Sequence, residues 1–213
     1  MKKRLSGNKK ILNTLKKRSI ILASKSQRRI KILKSIGLNF TVRESNVNEK
    51  KLIKNYKNKS ASKIIQMLSL AKARSVFKKL KSTLQGDELI LGFDTIVVCK
   101  NKIIDKPTSK EDALKKLLFL SNKKHKVYTG IGIIDLNKNQ EITSYETTTV
   151  YMKLISKPDA IKYIKTKEPF GKAGSYAIQG KGKKFIKKIE GDYLNVVGLP
   201  LSKLLLTITI SLY

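Results

Sequence analysis

One acidic residue stands in the middle of an otherwise apolar stretch of the chain. Asp94 lies within the run LILGFDTIVVC at Leu89–Cys99, which is typical of a buried strand. A buried carboxylate is costly unless it is paired, protonated or bound to a metal. Pairing with a buried lysine would be a structural role. Beside a bound divalent cation, the same carboxylate could accept a proton from a water molecule that attacks phosphorus.

A second candidate site lies where a predicted strand meets a predicted helix. The sequence SKSQRR at 24–29 opens the helix, where free backbone N–H groups and the helix dipole favour an anion. Two of the chain's six arginines, Arg28 and Arg29, are adjacent here, and their planar guanidinium groups suit a triphosphate or a base carbonyl. Alternatively, Ser24 or Ser26 only caps the helix and the arginines are surface charges.

The most common catalytic and nucleotide-binding motifs are absent from the sequence. It has no Walker motif, no Rossmann glycine fingerprint, no Gly-x-Ser-x-Gly elbow and no Cys/His cluster for zinc. His125 is the only histidine, and we expect it to be a structural or loop residue. The single cysteine, Cys99, excludes an internal disulfide, and no apolar run approaches the roughly 18 residues of a membrane span. These features predict a cytoplasmic protein without membrane contact.

The net charge of +32 suggests nucleic-acid binding as an alternative function. All but six of the 47 basic residues are lysines, however, and they occur in nearly every segment. A dedicated binding surface would concentrate charge on one element and usually include arginines or aromatic residues. The spread indicates a compositional bias, which predicts only non-specific contact with nucleic acid but would speed encounter with a triphosphate.

The elements that must position these residues alternate between strands and helices. Predicted strands cover residues 20–23, 40–42, 89–99 with a hairpin return at 103–104, 126–136, 141–154 and 185–189. Predicted helices cover residues 26–36 and 61–80, open with a capping box at 108–111 and run to about 120, begin at 156, and follow Pro200. This order predicts an α/β chain, α+β-like in part, with a mixed, twisted central β-sheet flanked by helices.

The first 18 residues differ in composition from the rest. They contain eight basic residues and no acidic one, and the pattern changes abruptly at Ser19. We therefore expect a flexible basic extension at 1–18 and a single domain at 19–213.

Five stretches of the sequence resemble the Maf-like nucleoside triphosphate pyrophosphatases, which are related in fold to inosine triphosphatase. They are ILASKSQRR at 21–29, GFDTIVV at 92–98, DKP at 105–107, HKVYTG at 125–130, and the run from Glu168 to Pro200 that contains KAGSYAIQG and GDYLNVVGLP. The resemblance spans about residues 19–205 in family order. It implies metal-dependent attack of water on the α-phosphorus of a nucleoside triphosphate, with pyrophosphate as the leaving group.

The resemblance also implies roles for individual residues. Asp94 matches the proton acceptor, and Glu49 matches the other acidic position, so that both would hold a divalent cation, Mg²⁺ or Mn²⁺. The positions that match phosphate-binding residues are Ser24, Arg29, Lys72 and Lys106, of which Lys106 joins Asp94 and Glu49 in the catalytic set. A homodimer is expected on the same basis.

Three further positions imply the substrate. Arg28, Thr95 and Gln179 match residues of the subgroup that acts on dTTP and UTP, so we expect hydrolysis of these nucleotides, and of modified pyrimidine nucleotides, before they enter nucleic acid. Gln27 and Phe93 depart from the family pattern; we expect Phe93 to point to the strand face opposite Asp94, since neighbours alternate. The alternatives are a nucleic-acid-binding protein and a non-catalytic regulator of septum formation or division.

Overall fold

The computed structural model describes residues 11–56 and 58–212, which divide into two compact units. Unit 1 comprises the described residues up to Asp94, residues 130–145 and those from Gly198 onward. Unit 2 comprises residues 95–129 and 146–197. Three long strands contribute residues to both units.

The strands form a mixed seven-stranded sheet. They are β1 (Ile20–Leu22), β2 (Thr41–Val42), β3 (Leu89–Cys99), β4 (Lys102–Ile104), β5 (Lys124–Asp135), β6 (Gln140–Met152) and β7 (Ile186–Glu190). Their order is β2-β1-β3-β5-β6-β7, with β4 paired to β3. β1 is parallel to β2 and β3, whereas the β3–β4 and β6–β7 pairs are antiparallel. The predicted α/β class and mixed sheet are therefore confirmed.

Five of the described helices lie between strands in the chain, one precedes β1, and two follow β7. They are α1 (residues 11–16), α2 (Gln27–Ser35), α3 (Glu49–Asn55), α4 (Ala61–Leu80), α5 (Lys110–Leu120), α6 (Lys157–Lys165), α7 (Tyr193–Val197) and α8 (Leu201–Leu212). Short 3₁₀ turns cover Ala173–Ser175 and Lys181–Phe185. Helix α4 and strand β3 have the bounds that the apolar pattern predicts, because both bury long apolar faces.

Helix α4 lies very close to strand β3 in unit 1. A Cβ atom at Gly92 would lie 2.2 Å from the Ser69 carbonyl oxygen and 2.8 Å from the Ala73 nitrogen. Only glycine therefore allows this approach. The helix buries Ala73 and Val76 against Ile90, and Lys72 lies on the same buried side of the helix. The packing thus carries a lysine ammonium group to the strand that contains Asp94.

Helices α5 and α6 contribute buried side chains to the core of unit 2. Leu117 and Leu120 of α5 are fully buried, as is Val150 of β6, and they belong to one apolar cluster with Tyr163 of α6. Removing such side chains from water is the main stabilising contribution of a core. The same cluster includes Val97, Ile104 and Tyr176, which lie two to three residues from Thr95, Lys106 and Gln179 in the chain.

Helix α3 and the cap of helix α5 differ from the sequence-based expectations, and the short helix α7 was not expected either. Helix α3 lies in a polar stretch for which no element was expected; it buries none of its side chains, so it has no apolar periodicity, and the Asn48 side chain caps it by accepting from Lys51 N. The cap of α5 is Ser109, which accepts from Asp112 N, rather than the expected Thr108. The N-cap is thus shifted by one residue, and the Asp112 carboxylate accepts from the N–H of Thr108.

Part of the expected N-terminal extension is described. Residues 11–16 are helical, Ile11 and Leu15 are buried, and Arg18 Nη2 lies 2.8 Å from Asp135 Oδ1. Residues 1–10 lie outside the described residues. The domain boundary at residue 19 and a single domain from there onward stay predictions.

Candidate active site

In unit 1, the Ser24 side chain, in the loop after β1, contacts the Arg29 side chain of helix α2. Arg29 Nη1 donates to Ser24 Oγ at 3.1 Å, and Arg29 Nε donates to the Gly198 carbonyl oxygen at 2.8 Å. Ser26 occupies the cap position of α2, but its side chain makes no capping hydrogen bond. Its backbone N–H instead lies 3.3 Å from Ser24 Oγ. The serine hydroxyl and the guanidinium group therefore form one polar cluster at the helix N-terminus, as an anion site requires.

Burial lowers the pKa of both arginines in this cluster. Burial lowers the pKa of Arg29 to about 10; Asp94 and Glu49 oppose this change, whereas Arg28 adds to it. Burial also lowers the pKa of Arg28, which is half-buried on the first turn of α2. Arg29 remains protonated at neutral pH and is the fixed cation of this cluster.

Phe93 lies on the strand face opposite Asp94, as the alternation of the strand predicts. Gly92 and Asp94 both face α4, whereas the Phe93 ring lies 5.8 Å from the Arg29 guanidinium carbon. That distance is within the range of a cation–π contact. The departure from the family pattern therefore places an aromatic ring beside a candidate phosphate-binding residue.

Two carboxylates of unit 1 meet at one lysine. Lys72 Nζ lies 2.7 Å from Glu49 Oε1 and 2.9 Å from Asp94 Oδ1. Asp94 and Lys72 are buried, and Glu49 is half-buried as the first residue of α3. The sequence left open whether Asp94 is paired with a buried lysine, and the structure shows this pair. The Glu49 carboxylate contacts the same lysine ammonium group.

The carboxylate pair has the chemistry of a partial site for a hard cation. Mg²⁺ in phosphate-processing sites takes one or two carboxylates and completes its shell with water and substrate phosphates. Within residues 11–56 and 58–212, no group of three or more His, Cys, Asp or Glu side chains is placed to hold a metal. Glu49 and Asp94 could supply the one or two carboxylates of such a site.

In unit 2, Thr95 is joined to a chain of hydrogen bonds. Its hydroxyl oxygen lies 3.0 Å from Thr129 Oγ1, and Thr129 donates its single hydroxyl hydrogen to the Asn195 carbonyl oxygen at 2.9 Å. Thr95 must therefore be the donor in the Thr95–Thr129 contact. The Asn195 amide in turn donates to the Val127 carbonyl oxygen at 3.0 Å. Both residues lie in stretches that carry the family resemblance, HKVYTG and GDYLNVVGLP, but no role was expected for either of them.

Lys106 lies in the loop between β4 and α5, and the backbone of this loop contacts Lys116. Lys116 Nζ lies 3.2 Å from the Lys106 carbonyl oxygen, 2.5 Å from Asp105 Oδ1 and 2.7 Å from Asp112 Oδ2. The side chain of Lys106 is exposed. One ammonium group thus ties together the two ends of the segment from Asp105 to Asp112.

Gln179 is exposed in the loop between the two 3₁₀ turns of unit 2. Thr95, Lys106 and Gln179 belong to unit 2, whereas the other candidate residues belong to unit 1. Unit 1 brings Ser24 into contact with Arg29, and it brings Glu49 and Asp94 to Lys72.

Comparison with known proteins places this chain among relatives of one family. The family described as Maf-like protein matches residues 19–209. The chain belongs to the Maf-like protein family. The match begins where the basic N-terminal composition ends. All of the candidate residues lie within the matched range.

The curated relatives of this Maf-like chain include proteins named dTTP/UTP pyrophosphatase. The protein of Thermoanaerobacter sp. (strain X514) is 44% identical over 185 residues, which cover 87% of this chain and 92% of the relative. The protein of Alkaliphilus oremlandii (strain OhILAs) is 43% identical over 187 residues, covering 88% and 93%. That of Clostridium botulinum (strain Kyoto / Type A2) is 41% identical over 187 residues, covering 88% and 94%.

The Maf-like chain has no described helix with the length and apolar character that crossing a membrane requires. Its longest described helix, α4, has 20 residues but carries several lysines. The apolar helix α8 has only 12 residues.

Proposed function

We propose that this Maf-like chain hydrolyses dTTP and UTP to the nucleoside monophosphate and pyrophosphate. The observation that carries the proposal is the convergence of Glu49 and Asp94 on Lys72 Nζ in unit 1. A second support is the name dTTP/UTP pyrophosphatase, which the relatives carry at 40–44% identity over most of the chain.

The proposed reaction is a displacement at the α-phosphorus. The oxygen of a water molecule bonds to this phosphorus, and the bond from the α-phosphorus to the oxygen that bridges the β-phosphorus breaks. Asp94 accepts the proton of the attacking water, and the bond's electron pair leaves with pyrophosphate. Asp94 and Glu49 would hold a divalent cation, Mg²⁺ or Mn²⁺, which when bound neutralises phosphate charge and polarises the reacting groups.

The phosphate oxygens need fixed donors that are already in position. Ser24, Arg29, Lys72 and Lys106 fill this role in the proposal, because charge that develops on the phosphates is stabilised most by groups that need no rearrangement. Arg29 is suited to it, since its guanidinium group is already held by Ser24 and the Gly198 carbonyl. Lys72 is suited because two carboxylates fix its ammonium group.

The base is read by Arg28, Thr95 and Gln179 in the proposal. Uracil and thymine share two carbonyl groups and one N–H, so a matching site needs both donors and an acceptor. Arginine supplies donors only, whereas an amide and a hydroxyl supply both kinds of group. Hydrolysis of modified pyrimidine nucleotides, a homodimer and a cytoplasmic location complete the proposal.

A panel of nucleoside triphosphates tests the function. Purified protein with Mg²⁺ or Mn²⁺ should release pyrophosphate from dTTP and UTP faster than from CTP, ATP or GTP. In ¹⁸O-labelled water, the label should enter the monophosphate, because the attack is on the α-phosphorus. Orthophosphate release would place the cleavage at another bond. Turnover equal to that of a protein-free metal blank would favour a non-catalytic regulator.

Substitution of Asp94 tests the mechanism. Asp94→Asn keeps the size of the side chain but removes the proton acceptor, so turnover should fall on the order of 10²- to 10⁴-fold. Asp87→Asn is a matched control, because Asp87 is exposed and belongs to the same unit. Full turnover in Asp94→Asn would refute the assigned role.

A further inference from the structure

The loop that carries Gln179 is held by a tyrosine on one side and a glutamate on the other. On the N-terminal side, Ala177 N donates to the Tyr163 hydroxyl oxygen at 3.0 Å. On the C-terminal side, Lys181 N donates to Glu168 Oε2 at 2.9 Å. Gln179 therefore lies between two backbone anchors that are only four residues apart.

A second set of contacts joins the two anchors to each other. The Tyr163 hydroxyl donates to Glu168 Oε1 at 2.8 Å, and Gly182 N donates to the same oxygen at 3.0 Å. Burial and then the contact with Glu168 raise the pKa of Tyr163 far above its usual range, so the hydroxyl keeps its proton and can donate. Tyr163 and Glu168 thus form one hydrogen-bonded latch, which accepts three backbone N–H groups from the loop.

The loop lies so close to the latch that a side chain at either of two glycine positions would displace atoms of the latch. A Cβ atom at Gly180 would lie 2.3 Å from Glu168 Oε2, and a Cβ atom at Gly182 would lie 2.7 Å from the Tyr163 hydroxyl oxygen. Real Cβ atoms do not approach other atoms this closely. Glycines at these positions let the backbone approach the latch directly.

The latch itself rests on the core of unit 2. Tyr163 belongs to helix α6 and is 2% exposed, and its ring lies edge-on to Phe185 with centroids 5.3 Å apart. Phe185 closes the 3₁₀ turn that follows Gln179. The Tyr163 ring is therefore fixed by packing, and its hydroxyl group presents a defined position to the loop.

The charge of Glu168 is maintained by the same contacts. Burial alone would raise its pKa, but the N–H of Gly182, the Tyr163 hydroxyl and the N–H of Lys181 outweigh burial and lower the pKa. A carboxylate has acceptor sites on both oxygens and no hydrogen to donate. It can therefore accept all three donors at once, which a neutral amide cannot do.

We propose that Glu168, together with Tyr163, is a positioning residue that sets the base preference of the enzyme by fixing the loop of Gln179. The proposal rests on the proposed function, in which Gln179 reads the base. Without the latch, the Gln179 amide would sample several positions, and the site would distinguish poorly between bases that differ only in their hydrogen-bonding edge.

Glu168→Gln tests the latch with little change in volume. Its amide group has one acceptor oxygen, so one of the backbone N–H groups would face an NH₂ donor whichever way the side chain turns. UTP and CTP are suitable probes, since they differ only in the edge of the base. The ratio of kcat/KM for UTP to that for CTP should fall roughly 3- to 10-fold, as expected for the loss of one positioned hydrogen bond.

A double variant separates positioning from a merely structural role. If Glu168 acts through Gln179, Glu168→Gln should change the UTP/CTP ratio in the wild-type background but not in the Gln179→Ala background. Tyr163→Phe should lower the ratio in the same direction with a smaller effect. Equal losses for UTP and CTP, or additive effects on their ratio in the double variant, would overturn the proposal.

Glu190→Gln is the matched control. Glu190 belongs to the same unit and also accepts from a tyrosine hydroxyl, that of Tyr151, at 2.8 Å. It is exposed and lies on strand β7 rather than beside the loop of Gln179. The UTP/CTP ratio should therefore be unchanged in Glu190→Gln, and a ratio that falls equally in both variants would contradict a specific role for Glu168.

Amide hydrogen exchange tests the latch independently of turnover. Mass spectrometry of peptides that cover residues 177–182 should show slow exchange in the wild-type protein and faster exchange in Glu168→Gln. Unchanged exchange in this segment would overturn the latch even if the activity were as proposed. Conversely, a wild-type protein that hydrolyses no triphosphate would refute the proposed function while the exchange result still decided the latch.

Discussion

The two units of this molecule hold their polar groups in different ways. In unit 1, ionised side chains contact one another: Lys72 joins Glu49 to Asp94. In unit 2, side chains mainly fix backbone groups, as Glu168 does for Lys181 N and Thr129 does for the Asn195 carbonyl oxygen. Among the described residues, the most deeply buried ion pairs thus lie in unit 1, whereas each ion pair of unit 2 leaves at least one partner 30% or more exposed.

The difference indicates which kind of damage each unit would suffer from a substitution. Removal of one charge from a buried cluster leaves the opposite charge without compensation, which costs much more than the pair itself contributes. Loss of one backbone-directed hydrogen bond costs less free energy but lets a loop move. Substitutions in unit 1 should therefore affect stability and chemistry together, whereas those in unit 2 should affect positioning.

The largest effect is expected for Lys72→Met. Methionine fills a similar volume but leaves Asp94, whose side chain is 6% exposed, without its cation. The free energy of unfolding should fall by about 3 kcal/mol or more, the usual cost of breaking a buried ion pair. Denaturant unfolding measures it, and pyrophosphate release should fall as well.

Lys78→Met is the control for this substitution. Lys78 belongs to the same helix, α4, and its side chain is exposed, so its removal should change the free energy of unfolding by less than about 0.5 kcal/mol. Addition of Mg²⁺ should stabilise Lys72→Met, because two carboxylates then share a cation again. If both variants were equally stable, the buried ion pairs of unit 1 would not make the stability contribution that we expect.

A smaller effect, which depends on pH, is expected from His125 in unit 2. His125 is 2% exposed, and its Nε2 lies 2.7 Å from the Tyr176 hydroxyl oxygen. Burial lowers the pKa of His125 to about 4. The unfolded chain, with a histidine pKa near 6.5, therefore takes up a proton at higher pH than the folded protein does.

The direction of the pH effect follows from this difference. The contribution of His125 is fully present above about pH 6.5 and is lost as the pH falls from 6.5 towards 4, by about 3 kcal/mol at most. His125→Gln can retain a contact with Tyr176 but cannot titrate. Its free energy of unfolding should change less between pH 7 and pH 5 than that of the wild-type protein. If the free energies of unfolding of the two proteins changed equally with pH, His125 would not be the source of the pH dependence.

The sequence predicted the residues that are locally unusual and missed those that are not. Asp94 could be selected because a carboxylate inside an apolar strand needs a partner. Its partner Lys72 could not be selected by residue type among so many lysines, and only the family resemblance indicated it. Thr129 and Asn195 lie 66 residues apart in the chain, and nothing in their local sequence indicates that they meet.

The same reasoning explains what could be predicted of the fold. Strand β3 and helix α4 bury long apolar faces, so their patterns gave their bounds. Helix α3 buries no side chain; the Asn48 side chain caps it, and its first residue, Glu49, contacts Lys72. Such an element has no apolar pattern to detect. The sequence therefore could not show how Glu49 is placed.

The smallest effect is expected for Lys116→Met, which removes a charge cluster in unit 2. Burial alone would lower the pKa of Lys116, but hydrogen bonds with Asp105 and Asp112 outweigh burial and raise it. The side chains of these acids are 46% and 30% exposed, so water can solvate both after the substitution. The free energy of unfolding should therefore fall by only about 1 kcal/mol.

Lys116→Met should nevertheless change substrate binding, because Lys116 also donates to the Lys106 carbonyl oxygen. We expect KM for dTTP to rise several-fold with a smaller change in kcat, whereas Lys115→Met, on an exposed position of the same helix, should change neither. High salt should reduce the difference in stability between Lys116→Met and the wild-type protein, since the pairs are partly exposed. A loss of stability as large as that of Lys72→Met would mean that burial of the ion pair does not set the size of the effect. The two units would then differ only in how their loops are held.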